Sequence, residues 1–539
     1  MSHGRVSSPD QSIEPSLWLV FAAIFAAVLV AHVPLLRLPY YWDEAGYYIP
    51  AAYDFFRTGS LIPFSTLSNA HPPLPSLYLA LWWKIFAFAP WVTRLAMCAV
   101  SSVALLAVYQ LAIVTTRIPK VAGTTVLLTA LYPVWFAQSS LAHADMFAAA
   151  ATLWALVFFL KERIWLAMAC FSLAALSKET AVITPLALVI WQMWMTFAPN
   201  RWSPSDNTAA PRPLAKCGAL LLSIVPLGCW YLYHWHRTGF VFGNPEYLRY
   251  NATATLTPLR VLLAFTHRLL HITAHMNLFV PVLSMLACMM LPPVDDRKRI
   301  TISDQLQFYV IILANLIFFS VLGGALLTRY LLPLYPLMLL VCVNTFYRRL
   351  RHWPYLIALS AVAFLAGLFI NPPYRFAPED NLAYRDVILL HQAAIQRILA
   401  HYPGATVLSA WPATDELSKP ELGYVTEPIQ VASIDNFSLP QIEKAAQLTD
   451  PYTVGLIFST KYDPPHLPFS LGRKNEAFDA RFFDFHRDLP PEMIARLLGG
   501  KMVWRAGRQG QWAALLHFDR PQEAMETEHD RLPLHYNQP

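Results

Sequence analysis

The chain has 539 residues, of which 56% are hydrophobic and only 14% charged, well below the roughly 25% charged residues of soluble globular proteins. Its net charge of +6 divides into 24 Lys+Arg against 13 Asp+Glu up to residue 371, and 16 against 21 beyond it. That excludes a disordered chain, a disulfide-stapled secreted module and a basic nucleic-acid binder, and it leaves a polytopic membrane protein with a soluble tail. The six cysteines, Cys98, Cys170, Cys217, Cys229, Cys288 and Cys342, lie in or beside apolar runs with no C-x-x-C spacing, so they read as small buried hydrophobes.

A bilayer core needs about 20 apolar residues as helix. After a short N-terminal tail (1–16), segments near 17–36, 91–116, 121–139, 146–160, 164–177, 181–198, 214–235, 276–291, 306–327, 331–347 and 354–371 meet that need or approach it, predicting about eleven spans. The first run is too long for a cleaved signal and no small-residue site follows it. The stretch 75–88 is apolar but short and follows two prolines, which predicts a helix lying at the interface.

Placing the N-terminus inside makes every inner connection basic: Arg117 and Lys120; Lys161 and Arg163; Arg201, Arg212 and Lys216; Arg297, Lys298 and Arg299; Arg348, Arg349 and Arg351. The long outer loops are then 37–90 and 236–275, and an odd span count puts the tail, 372–539, outside as well. The tail alternates helix-like (384–401, 490–498) and strand-like (406–410, 454–459) segments and ends in a hairpin around Gly507–Gly510, predicting a small α/β domain. It carries no Gly-rich phosphate loop and no G-x-S-x-G motif.

The first outer loop holds the most chemistry. Trp42-Asp43-Glu44 leaves the first span amid tyrosines, and Asn69-Ala70-His71-Pro72-Pro73-Leu74 follows. Carboxylates wrapped in aromatics at a membrane exit are costly to desolvate unless they bind something; the plain alternative is an aromatic belt with solvated acids. Neighbouring side chains diverge, so Asp43 and Glu44 cannot face each other across a sugar as a glycosidase pair does. Asp145, at the outer mouth of the fourth span, is the available second acid, and helix capping is its plain role. Lys178 and Arg329 sit at outer span ends, where they can meet a phosphate or simply snorkel. Arg237 and Arg249 lie in the loop 236–275 as further candidate contacts. His267, His271 and His275 follow helical spacing, which reads as an interfacial stripe rather than a metal site, since no carboxylate or cysteine completes it.

Trp42-Asp43-Glu44, His71-Pro72-Pro73-Leu74, Asp145, Leu176-Ser177-Lys178-Glu179-Thr180 and Arg329-Tyr330-Leu331-Leu332-Pro333 together resemble the GT-C membrane glycosyltransferases. Within them the chain is most similar to bacterial relatives of protein O-mannosyltransferases and of the lipid A aminoarabinose transferase, over about residues 20–370. The resemblance implies an all-α, GT-C-like membrane domain and transfer of a sugar from a polyprenyl-phosphate carrier to a glycan, lipid or protein acceptor on the outer face of a bacterial inner membrane. It matches Asp43 to the general base, Glu44 to a companion acid and Asp145 to a second acid. His71, Lys178, Arg329, Arg237 and Arg249 are then the donor-side contacts. Where some members carry a Lys near the His-Pro-Pro segment, this chain has His71. No cofactor is required by this reading; a divalent cation on Asp43, Glu44 and Asp145 is left open. The rival readings are a transporter, which favours repeats and ionisable groups within spans, and a non-catalytic assembly or sensor protein.

Overall fold

The computed structural model describes residues 16–197, 213–243, 245, 256–295, 297–322, 324–448, 452–462, 464, 477–478, 480–482 and 487–519. The membrane half consists of helices α1 Leu17–His32, α2 Ile49–Thr58, α3 Leu74–Phe86, α4 Pro90–Thr116, α5 Pro119–Leu131, α6 Pro133–Gln138, α7 Ala144–Leu160, α8 Ile164–Ser177, α9 Ile183–Phe197, α10 Pro213–Leu222, α11 Val225–Thr238, α12 Pro258–Thr273, α13 Phe279–Met289, α14 Ile302–Val321, α15 Tyr335–Arg349 and α16 Pro354–Phe369. Proline opens many of them, at the one helical position where its missing N–H costs nothing.

Which faces are buried follows from composition. The alanine run at 148–151 lets α7 pack closely between α4 and α8, and α7 is buried on nearly every side. The outer helices instead expose bulky apolar residues such as Trp18, Leu19, Trp165, Leu283 and Val362. A water-facing surface does not carry such a belt, whereas lipid favours it.

Each of the eleven apolar segments is mostly helix over its described residues. Among the described residues, four stretches are long and apolar enough to cross a bilayer unaided: Leu17–Leu35, Pro90–Thr116, Leu214–Thr238 and Ile302–Val321. A fifth arises if Pro258–Asn277 and Phe279–Met289, bent by 98°, count as one span. Others, such as α7, α8 and α16, are apolar but shorter. One expectation is corrected: much of the loop 236–275 is helix α12. Arg260, Arg268, His267 and His271 dilute its hydropathy, and the two arginines turn inward to grip the carbonyls of Gly324, Ala325 and Leu327.

The C-terminal part contains α17 Ala383–His401, β1 Val407–Ala410, α18 Ala413–Ser418, β2 Val431–Ile434, α19 Leu439–Ala446, β3 Val454–Phe458, α20 Pro491–Leu497, β4 Lys501–Arg508 and β5 Gln511–His517. The sheet order is β2-β1-β3-β5-β4, with β1 parallel to β2 and β3, and β5 antiparallel to both its neighbours. The strands β1 and β3 are buried throughout, as expected of central strands covered on both faces.

This part docks on the segment that follows α1. Tyr40 N–H donates to the Leu422 carbonyl at 3.2 Å, and Tyr424 donates its hydroxyl to the Tyr40 carbonyl at 3.0 Å. Trp411 meets the Trp42 ring edge-on at 4.9 Å. Gly46 leaves it room, because a Cβ there would sit 2.7 Å from the Trp411 ring.

A candidate glycosyl-transfer site

The local geometry begins at Trp42, whose φ of 47° is left-handed, a costly state for a bulky residue. A π-helical stretch, Glu44–Tyr48, follows at once, a rare form that is frequent at functional sites. The result is that Asp43 and Glu44 leave the backbone in different directions.

Glu44 points into the protein and is fully buried. Its two oxygens accept from both Arg94 Nη atoms at 2.5 and 2.9 Å, from Ala142 N–H at 2.5 Å and from Tyr41 N–H at 2.9 Å. Arg94 in turn donates to the carbonyls of Ser140 and Pro39, each at 2.8 Å. Glu44 thus ties the segment after α1, α4 and the 139–143 turn into one unit.

Asp43 points the other way and lines a cavity of about 580 Å³. The polar lining also includes His71, Lys178, Glu179, Arg329 and Tyr330; the apolar lining includes Leu227, Phe242, Phe318, Phe319, Leu322 and Leu327. Arg329 is the hub: it donates to Asp43 Oδ2 through Nη2 and to Glu379 Oε2 through Nη1 at 2.5 Å, and its Nε lies 3.3 Å from Asp145 Oδ2. Asp145 is buried on the first turn of α7 and pairs with Lys178 Nζ at 2.5 Å. Lys178 lies over the Tyr330 ring at 3.9 Å and is only 7% exposed, so it is held inside and does not snorkel.

His71 enters on a strap whose Ala70 has φ 58°. Trp230 Nε1 grips the Ala70 carbonyl at 2.9 Å, and His234 Nε2 lies 2.8 Å from Ser68 Oγ. The His71 ring stacks on Tyr48, with its Nδ1 3.0 Å from Glu179 Oε2. Burial pushes the Glu179 carboxyl up, but His71 and Lys178 outweigh it and hold it down at about 2. His143 is the reverse case: burial first, then Arg329, Lys178 and Arg94, drive it well below the usual imidazole range, so it is neutral at pH 7.

The structure therefore brings Asp43, Asp145, His71, Lys178 and Arg329 together and sets Glu44 apart on Arg94. Arg237 is exposed on the last turn of α11 and is not among the cavity-lining residues; Arg249 lies outside the described residues. The acids named for a cation diverge: among the described residues no three His, Cys, Asp or Glu side chains converge on a metal position. The three histidine rings do form a row, His267–His271 at 4.7 Å and His271–His275 at 5.2 Å, but His271 and His275 are buried and not interfacial. α12 ends at Thr273, and Met276 has φ 47°. His275 thereby turns inward, with Nε2 2.9 Å from Asp380 and Nδ1 3.2 Å from the Tyr374 hydroxyl.

Sequence reasoning missed Glu379, Tyr330 and Arg94. Glu379 sits in the segment after α16, read as the start of a domain without catalytic motifs. Burial pushes its carboxyl up to about 8, against the pull of Arg329 and with the help of Asp43, Asp380 and Asp145. Arg94 had a usable signal: a lone cation in a 27-residue apolar helix needs a buried acid.

Residues 70–230 match the model of the family described as dolichyl-phosphate-mannose-protein mannosyltransferase. No curated protein matches the sequence. The crystal structure of ArnT from Cupriavidus metallidurans bound to undecaprenyl phosphate superposes with a TM-score of 0.53 at 14% identity, covering 92% of this chain and 98% of that one. The archaeal oligosaccharyltransferase AglB from Archaeoglobus fulgidus, in complex with an inhibitory peptide and a dolichol-phosphate, aligns at 13% identity and a TM-score of 0.44, over 92% of this chain and 74% of that one. The chain thus shares the fold of that ArnT structure, and its residues 70–230 match the dolichyl-phosphate-mannose-protein mannosyltransferase family model.

Proposed function

We propose that the protein moves a sugar from a polyprenyl-phosphate carrier to an acceptor hydroxyl on the outer face of a bacterial inner membrane, with inversion at the anomeric carbon. The observation that carries this reading is a cavity in which a carboxylate, two buried cations and an apolar wall meet. A phosphate oxygen that replaces Asp43 on Arg329 leaves the carboxylate beside the reacting carbon. Asp43 then takes the acceptor proton, the acceptor oxygen forms the new bond to the anomeric carbon, and the carbon–oxygen bond to phosphate breaks. The electron pair stays on the carrier phosphate, where Arg329 and Lys178 offset the developing charge. Asp145 holds Lys178 in place, and Glu44 acts through the backbone by fixing the turn that aims Asp43. The reading includes eleven spans, a cytoplasmic N-terminus and an extracytoplasmic C-terminal domain. Its test is incubation of purified protein with a panel of polyprenyl-phosphate sugars and of peptide, lipid and glycan acceptors. Transfer to one of them is expected; hydrolysis alone, or no reaction across the panel, contradicts it.

A further inference from the structure

Arg329 presents all of its nitrogens to carboxylates: Nη2 to Asp43, Nη1 to Glu379 and Nε to Asp145. An incoming phosphodiester brings one more negative charge, so it must compete with an acid already in place. The three acids are not equivalent. Asp145 has its own cation in Lys178, and Asp43 is the group that must be released toward the acceptor. Among the described residues Glu379 pairs with no cation but Arg329, and its other oxygen, Oε1, is buried without a hydrogen-bond partner.

Charge counting leads to the same place. Asp43, Asp145 and Glu379 face Arg329 and Lys178, three acids against two cations, all but Asp43 nearly excluded from solvent, while Glu44 pairs with Arg94 and Glu179 with His71. Adding a phosphodiester with every acid ionised would leave the cluster at two net negative charges. Removing one carboxylate charge lowers that by half, and in a low-dielectric site each unit counts.

We propose that Glu379, delivered from the segment that leads into the C-terminal domain, is a positioning residue that orients Arg329 and whose charge state sets how tightly Arg329 holds the carrier phosphate. Neutral Glu379 keeps the geometry and leaves the guanidinium charge to the phosphate; ionised Glu379 claims that charge for itself. The groups that act on it are Arg329, Asp43, Asp380 and Asp145, together with Tyr41, which feels its charge. The backbone on either side is pinned: Gln138 donates to the Glu379 carbonyl at 3.2 Å, and Asp380 is held by Thr328 and His275. The segment therefore positions the carboxyl firmly and does not merely pass by.

The sign follows from the carboxyl's elevated titration, near pH 8. Below that pH Glu379 is neutral and phosphate binding is strong; above it the carboxylate forms and binding weakens by up to about tenfold per pH unit. This inference rests on the transferase reading, so its test uses binding and needs no acceptor. The probe is methyl undecaprenyl phosphodiester, which keeps a single negative charge from pH 6.5 to 9.5, titrated into the full-length protein in nanodiscs. For wild type, Kd is expected to rise about tenfold or more between pH 7 and 9.5, while in Glu379→Gln it stays within about twofold over that range. A flat wild-type profile, or the same rise in Glu379→Gln as in wild type, overturns the role of Glu379 and leaves the transferase reading standing. A wild-type protein that binds no phosphodiester at any pH overturns both.

Discussion

In a Glu44→Gln variant the Arg94 guanidinium keeps its charge and loses the carboxylate that neutralises it. Both side chains are essentially excluded from water, at 1% and 0% exposure, so solvent cannot step in. The lost contacts include two charge-assisted hydrogen bonds from Arg94, each worth about 1.5–3 kcal/mol. The amide also turns one acceptor into a donor facing Ala142 or Tyr41 N–H. Breaking a buried pair from one side costs about 3–5 kcal/mol, and that is the loss expected here. The assay is thermal unfolding of purified protein by intrinsic fluorescence, for Glu44→Gln, Arg94→Met and the double variant. The single variants should melt several degrees below wild type, and the double variant should recover part of the loss, with a coupling of at least about 1 kcal/mol. Folded Glu44→Gln should also lose less turnover than Asp43→Asn, because Glu44 acts on the turn and not on the substrate. A Glu44→Gln protein that melts like wild type, or strict additivity in the double variant, would refute the reasoning.

Three other perturbations test separate parts of the account. Lys178→Ala should raise the donor KM about tenfold or more, the value of one charge-assisted contact, and should lower Tm because Asp145 loses its cation; unchanged donor kinetics would restrict Lys178 to pairing with Asp145. Gly46→Ala should loosen the docking of the C-terminal part, since the new methyl meets Trp411 at 2.7 Å; overpacking costs about 1–3 kcal/mol, read as faster limited proteolysis between residues 411 and 448, and wild-type resistance would contradict it. Alkaline phosphatase fused after Pro372 should be active, because the enzyme works only outside the cytoplasm; a stable but inactive fusion would reverse the orientation.

Much of the membrane half is legible in the sequence because lipid imposes one rule on every span: the backbone must satisfy itself as helix behind apolar side chains. Asp43, His71, Lys178 and Arg329 are legible for the converse reason, as polar groups at the ends of apolar runs. What the sequence hides is pairing across distance. Arg329 meets Asp43 from 286 residues away and Glu379 from 50, and nothing local marks those partners. Glu44 looks like the twin of Asp43 in sequence; only the left-handed turn at Trp42 separates them. The extent of helix α12 is only partly legible: the histidine spacing is helical, but Arg260 and Arg268 mimic loop composition while serving as internal hydrogen-bond donors. In the tail, β2 was missed because its Val-Ala-Ser-Ile is too short for a clear alternation, whereas the longer hairpin β4–β5 was legible.

The central claim is that Asp43 takes the acceptor proton, and the most direct measurement compares turnover of folded Asp43→Asn with wild type at saturating donor. The amide keeps the size of the side chain and can still accept a hydrogen bond from Arg329, but it cannot act as a base. General base catalysis contributes about 10² to 10⁴ in rate, so turnover at saturating donor should fall at least a hundredfold, while donor binding does not weaken, because the amide competes less with phosphate for Arg329. Wild-type turnover in a folded Asp43→Asn protein would contradict the account and pass the role of base to another acid of the cluster, with Asp145 the first to test.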